Sequence, residues 1–184
     1  MLKMKRIMDI RPPGGNAEPE SYPKFDPHIT LVSLPSPSGI SLSQLRESIP
    51  KDQRPLKVTF KSVDVGDHFF RSDYIAVSLT PELVDLHRKV HDSLKLEPRT
   101  PKFPHISLTY ITNFDAEHGE RQRWRDELQS EGRIREEDGG DSIGLNCGID
   151  KEEWISGFVA TEIWIVECEG PVETWKILDK IPLS

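Results

Sequence analysis

The sequence predicts an α+β chain, on three observations. Short apolar stretches alternate with period two between Gly- and Pro-rich breaks, and other segments repeat apolar residues at helical spacing. One five-residue phrase also occurs twice, as Pro27-His28-Ile29-Thr30-Leu31 and as Pro104-His105-Ile106-Ser107-Leu108. The two copies head halves of similar element order, an approximate internal duplication. At 184 residues the chain is one domain, or two small lobes sharing a core.

Residues 12–27 read as a loop, because Pro12, Pro13, Gly14, Gly15, Pro19 and Pro23 break any regular element. The first phrase opens a strand over about 28–34. Pro35-Ser36-Pro37-Ser38-Gly39 then turns the chain into a short helix capped by Ser41, with Leu42, Leu45 and Ile49 at helical spacing. Alternating Val58, Phe60 and Val63 predict a strand from Lys57 to Val65. A hairpin loop at Gly66-Asp67 leads to a partner strand through Tyr74 to Leu79. Thr80-Pro81 starts a helix, the hydroxyl as cap and the proline at its first position, with Leu83, Leu86, Val90 and Leu94 as its apolar stripe.

The second phrase lies in a strand over about 103–112. Asp115 is the expected cap of a long charged helix reaching Glu131, with Trp124 and Leu128 turned inward. Residues 132–142, with Glu136, Glu137, Asp138, Gly139, Gly140 and Asp141, read as an exposed loop. A hairpin closes the chain: Ala160 to Glu167, a turn at Glu169-Gly170-Pro171, and a return from Val172 to Ile181.

Composition excludes several classes. The net charge is −7, whereas a surface for long RNA or DNA needs an excess of Lys and Arg to neutralise many phosphates. A small phosphate in one local pocket is compatible with that balance. No run of eighteen apolar residues exists, and Met1 to Arg11 lacks the continuous apolar core of a secretory signal. Cys147 and Cys168 have no metal-like spacing and read as two free thiols of a reducing compartment, a disulfide between them being the alternative. The expectation is an intracellular, soluble monomer of the cytoplasm, with Golgi association as the alternative.

The repeated phrase carries the chemistry. Residues i and i+2 of a strand share a face, so each copy presents an imidazole and a hydroxyl together, with Ile29 or Ile106 turned the other way to bury. Two such strands side by side gather two imidazoles and two hydroxyls around one small anion, the equipment for metal-free phosphate ester chemistry. Ordinary residue frequencies give the full phrase about one chance in a thousand per histidine, so two accidental copies are improbable.

Other groups are weaker. His87 and His91 have the i, i+4 spacing of a zinc pair, but no third ligand accompanies them, and a solvated helix face is expected. His68 and His118 are expected to be exposed. Phe69, Phe70 and Arg71 either fold back on the core or form a stacking platform beside a phosphate-binding cation. Tyr110, three residues beyond Ser107, is aimed by strand alternation at the opposite face unless the strand twists or bulges.

At the paired phrases the chain resembles the two-histidine (2H) phosphoesterase superfamily, marked by two His-x-Thr/Ser motifs on paired strands. Within it, the sequence is most similar to the small cyclic nucleotide phosphodiesterases of fungi and plants. Asp67-His68-Phe69-Phe70, Thr100 through Tyr110 and Glu173-Thr174-Trp175-Lys176 support that likeness, which spans about residues 25–182. The resemblance implies a single bilobal α+β domain over 1–184, with two antiparallel sheets in pseudo-twofold symmetry and outer helices. It also implies a hydrolase that opens 2′,3′-cyclic nucleotides to 2′-phosphates and ADP-ribose 1″,2″-cyclic phosphate to the 1″-phosphate, a by-product step of tRNA splicing.

By resemblance His28 and His105 are the catalytic pair, Thr30 and Ser107 bind the phosphate, and Tyr110 lines the substrate site. No cofactor or metal is implied, and the expected partner is a small cyclic phosphate nucleotide rather than a long nucleic acid or a membrane. One departure is visible. Relatives carry an apolar strand and a sizeable helix before the first phrase, where this chain has Pro/Gly-rich sequence. That implies a trimmed first lobe or an atypical start.

Chemically, one imidazole takes the proton of an attacking water while the other protonates the leaving ribose oxygen. His105 is assigned as base and His28 as acid, an order that pseudo-symmetry leaves open. The alternatives are an RNA-end enzyme of the same superfamily (a 2′,5′-ligase/hydrolase or a 3′-exonuclease) and a non-catalytic nucleotide-binding module. A zinc protein built on His87 and His91 is a further one.

Overall fold

The structure, a computed structural model, describes residues 2–100 and 103–184; Pro101 and Lys102, which belong to the stretch supporting the resemblance, lie outside the described residues. The helices are α1 (Leu2–Met8), α2 (Leu42–Glu47), α3 (Pro81–Leu94), α4 (Asn113–Glu117) and α5 (Glu120–Ser130). The strands are β1 (Leu56–His68), β2 (Arg71–Val77), β3 (His105–Thr109), β4 (Ile134–Glu137), β5 (Ser142–Asn146), β6 (Trp154–Ile155), β7 (Gly157–Ala160), β8 (Glu162–Glu167) and β9 (Lys176–Pro182). They form sheets in the orders β3-β2-β1-β7, β4-β5-β6 and β8-β9. The class is α+β, with three sheets among the described residues where the resemblance implies two.

The chain divides into two compact units. The first holds residues 1–29, 59–77 and 105–157; the second holds 30–58, 78–104 and 158–184.

In the first unit β2 pairs antiparallel with both β1 and β3. Phe60, Ile75, Ile106, Ile111, Trp124 and Leu128 are fully buried there, as the alternation at Phe60 and the inward positions of α5 predict. Trp124 satisfies its one donor on the Ile10 carbonyl at 3.0 Å. Helix α1, absent from the sequence reading, adds Met4, Ile7 and Met8 to this core. It is one of the elements standing ahead of the first phrase, where the departure from the family was expected.

Three expectations are corrected in this unit. The hairpin turn falls at Phe69-Phe70, not at Gly66-Asp67, because β1 runs on to His68 through a bulge. Gly66 permits this, since a Cβ there would stand 1.9 Å from the Arg71 carbonyl oxygen. Thr112, not Asp115, caps the helix after β3, and that helix is two: Gly119, with φ +82°, breaks α4 from α5. Asp115 is buried instead, its carboxylate accepting from Ser21 at 2.6 Å and from the Glu18 N–H at 2.8 Å. Finally, residues 132–142 form most of the β4–β5 hairpin. Ile134 pairs with Leu145 and buried Ile143 and Leu145 anchor the ladder, while Glu136, Asp138 and Asp141, among the charges that suggested a loop, are exposed.

In the second unit α2 has Ser41 as N-cap, in a reciprocal capping box with Gln44. None of its residues is buried, and Ile49, just beyond it, is the one that reaches the core. Helix α3 follows its prediction, with Thr80 capping the Leu83 N–H and Leu83, Leu86 and Val90 buried. The β8–β9 hairpin also forms, although its return strand starts at Lys176 and not at Val172, because Val172–Thr174 make a short 3-10 turn. The strand predicted over 28–34 does not form; one bridge at Ile29 remains of it.

Candidate active site

The first unit positions the second phrase directly. β3 lies along β2 with His105 opposite Ala76, Ile106 opposite Ile75 and Ser107 opposite Tyr74. Beyond Ser107 the register slips, with Asp73 opposite Thr109, so Leu108 is an extra residue in β3. That bulge re-aims Thr109 and Tyr110, a turn that strand alternation could not foresee. Both Ser107 and Tyr110 consequently meet Phe70. The Ser107 hydroxyl donates to the Phe70 carbonyl at 2.7 Å, and the Tyr110 ring stands edge-on to the Phe70 ring at 5.3 Å.

The first phrase docks on the other edge of β3. Ile29 forms an isolated antiparallel bridge with Ile106. His28 and Thr30 flank that bridge in one segment, and His105 and Ser107 flank it in the other. Ile106, at the bridge, is fully buried. Thr30 begins the second unit and is half-buried there.

The two imidazoles have different surroundings. His28 is exposed, and its Nδ1 lies 2.7 Å from the Asp26 carbonyl oxygen. A carbonyl only accepts, so Nδ1 carries the proton of the neutral ring. His105 is half-buried, its ring edge-on to Tyr74 at 5.5 Å.

Aromatic rings line this region. Phe25 and Tyr110 lie face to face, with centroids 3.9 Å apart and planes 5° apart, and Phe69 reaches Tyr110 at 5.6 Å. Tyr110 is only 3% exposed, and Phe70 is 45% exposed. Of the two readings of the Phe69-Phe70 pair, Phe69 supports the core and Phe70 presents surface. Arg71 is engaged by Asp67 at 2.5 Å, with its guanidinium 6.0 Å from the Tyr74 ring centre.

Thr109 donates to the buried Asp73 carboxylate at 2.7 Å. Burial pushes that carboxyl up to about 7, against the lowering effect of the Thr109 bond and of Arg121 and Arg125. Two surface hollows belong to this unit, the second bordered by Phe25, Asp26, Leu108 and Thr109 at the flanks of the phrases. One of about 330 Å³ is lined by Arg11, Tyr22 and Glu120 among others, and one of about 320 Å³ by Lys5, Phe25 and Thr109 among others; neither lining includes His28 or His105.

Of the other histidines, His68 and His118 are exposed, as predicted. His87 and His91 are buried, against the expectation of a solvated face, and among the described residues no group of three or more His, Cys, Asp and Glu could hold a metal. Cys147 is a buried free thiol, its pKa pushed up to about 11 by burial and Glu153, and Cys168 is free and exposed. Among the described residues no helix is long and apolar enough to cross a membrane. Sequence reasoning missed the Phe25–Tyr110 stack and the Asp26 carbonyl. Its one available signal for the stack was the phenylalanine close before each phrase.

The family described as cyclic phosphodiesterase-like proteins matches residues 15–183. A 2′,3′-cyclic-nucleotide 3′-phosphodiesterase of Yarrowia lipolytica is 25% identical over 191 aligned positions, covering 84% of this chain and 82% of that protein. A cyclic phosphodiesterase of Arabidopsis thaliana is 25% identical over 88 positions, covering 48% of this chain and 49% of its own. With two His-x-hydroxyl phrases meeting at one bridge and a family match across nearly its whole length, this chain belongs to the cyclic phosphodiesterase-like family of 2H phosphoesterases and is a hydrolase of the phosphodiesterase type.

Proposed function

We propose that the protein hydrolyses 2′,3′-cyclic nucleotides to nucleoside 2′-phosphates, and ADP-ribose 1″,2″-cyclic phosphate to ADP-ribose 1″-phosphate, by acid–base catalysis between His28 and His105. The observation that supports the reading is the Ile29–Ile106 bridge, which joins the two phrases at their central residues. The name of the Yarrowia lipolytica relative supports the choice of 2′,3′-cyclic nucleotides. In this reading the chain is one bilobal 2H domain with pseudo-twofold symmetry, acting as a monomer on a small nucleotide.

The reaction needs a water in line with the departing 3′-oxygen. His105 takes a proton from that water as its oxygen bonds to phosphorus. The bond from phosphorus to the 3′-oxygen breaks, and His28 gives that oxygen its proton from Nε2. Proton exchange with solvent restores both rings. Each placed proton transfer contributes about a hundred- to ten-thousandfold. The Ser107 and Thr30 hydroxyls donate to the non-bridging oxygens, where charge builds. For Ser107 this requires exchanging its Phe70 carbonyl for substrate. Tyr110 lines the substrate site by supporting Phe25 and Phe70, and exposed Phe70 offers a face on which a base stacks. These side chains supply every step without a metal.

The test is phosphorus NMR of the product from a 2′,3′-cyclic nucleotide. A 2′-phosphate is expected, with a bell-shaped pH–rate profile and activity unaffected by chelator. A 3′-phosphate, or activity lost to chelator, would sink this mechanism. Preference for an RNA oligomer over the mononucleotide would select an RNA-end enzyme, and tight binding without turnover a non-catalytic module.

A further inference from the structure

Two histidines of α3 take no part in the chemistry above, and both are buried. His91 is 2% exposed, and its Nδ1–H donates to the His87 carbonyl at 2.8 Å, a bond internal to the helix. The bonds of His87 leave the helix. Its Nε2 lies 2.8 Å from Thr100 Oγ1, and its ring packs on Phe103 with centroids 4.1 Å apart. Thr100 donates its hydroxyl proton to the Leu31 carbonyl at 3.0 Å. A hydroxyl has one proton, and Leu31 receives it, so His87 Nε2–H must be the donor to Thr100. Burial, with His91 as neighbour, holds the His87 pKa below its ordinary value.

The partners of this ring are not scattered along the chain. Leu31 ends the first phrase, whereas Thr100 and Phe103 lead into the second. One imidazole therefore grips the backbone leaving one phrase and the segment entering the other. An apolar residue at this position would fill the same space without a directional link.

We propose that His87 is a positioning residue, which holds the exit of the His28 phrase and the approach to the His105 phrase in register through Thr100 and Phe103, and so aligns the two imidazoles. The proposal rests on the catalytic reading of His28 and His105. Misplacing a catalytic group by an ångström costs on the order of a hundredfold in rate, so losing one such tether is expected to cost about tenfold.

The experiment uses the full chain and compares His87→Leu, His87→Gln, Thr100→Val and the His87→Leu/Thr100→Val double variant. It measures kcat and KM on a 2′,3′-cyclic nucleotide and ring-proton NMR of His28, His105 and His118. Leucine occupies much of the ring's space without a donor, and glutamine restores an N–H near the position of Nε2. The expected result is a kcat about tenfold lower in His87→Leu and in Thr100→Val, with KM changed less than about twofold. Glutamine should recover most of the loss, and the double variant should lose no more than the worse single one. The His28 and His105 resonances should move while that of His118 stays.

Wild-type kcat and unmoved His28 and His105 resonances in Thr100→Val would overturn the proposal. So would losses that multiply in the double variant, or glutamine no better than leucine. If His87→Leu fails to fold, Thr100→Val carries the test, because it removes a hydroxyl with little change in volume. The NMR reading needs no turnover. A wild-type chain that leaves the cyclic nucleotide intact therefore overturns the catalytic reading, while the resonances still decide this one.

Discussion

Tyr110 lies flat against Phe25, with ring centres 3.9 Å apart and planes 5° apart. Phe25 stands just before His28, and Tyr110 just after Ser107, so this stack joins the flanks of the two phrases. A hydrogen bond from the Tyr22 N–H to the Tyr110 carbonyl, at 2.7 Å, reinforces it. Burying both rings on one another holds the edge that bears His28 at little cost in entropy, which is how a site keeps its geometry before substrate arrives.

If His28 and His105 are acid and base, replacing either with alanine lowers kcat at least about a hundredfold. His28 is exposed, so His28→Ala should leave stability within about 0.5 kcal/mol of wild type. Steady-state kinetics and urea denaturation check both halves of this prediction. A loss of only a few-fold in either variant would remove the acid–base assignment.

Ser107→Ala removes the donor to the non-bridging oxygen and should lower kcat/KM about a hundredfold. Ser107→Thr keeps a hydroxyl, as the first phrase does at Thr30, and should retain most of the activity. Equal activity of the alanine and threonine variants would show that the hydroxyl serves only the Phe70 carbonyl.

Gly66→Ala drives a methyl group to 1.9 Å from the Arg71 carbonyl oxygen, in backbone that has nowhere to retreat. The expected outcome is destabilisation by more than about 2 kcal/mol in urea denaturation, with the Phe69-Phe70 turn displaced. A variant as stable as wild type would mean that the β1 bulge is not needed.

Asp73→Asn tests the buried carboxyl behind β3. The folded pKa, raised to about 7 from 3.8, means that the folded chain binds more protons than the unfolded one between those values. Stability is therefore lost as pH rises through that window, and the ionised form carries the full penalty above it. Asparagine cannot ionise. The melting temperature of Asp73→Asn relative to wild type should be more favourable at pH 8 than at pH 5, and an equal difference at both would show that Asp73 is not strained by its charge.

The sequence by itself determined the two repeated phrases, the α3 helix with its Thr80 cap, the β1–β2 and β8–β9 hairpins and the inward Trp124 and Leu128. Each of these depends on local rules: residue type, period and capping. The tertiary structure decided what depends on partners distant in the chain. The 28–34 segment had the residues of a strand but met β3 at Ile29 alone. Residues 132–142 had the composition of a loop, yet β5 and its buried Ile143 and Leu145 made a strand of β4. The bulge at Leu108 turned Tyr110 toward Phe70, and Thr100 and Phe103 drew His87 out of solvent. The physical reason is common to all four: periodicity records which face of a segment can be buried, whereas register and burial are set by the segment that packs against it.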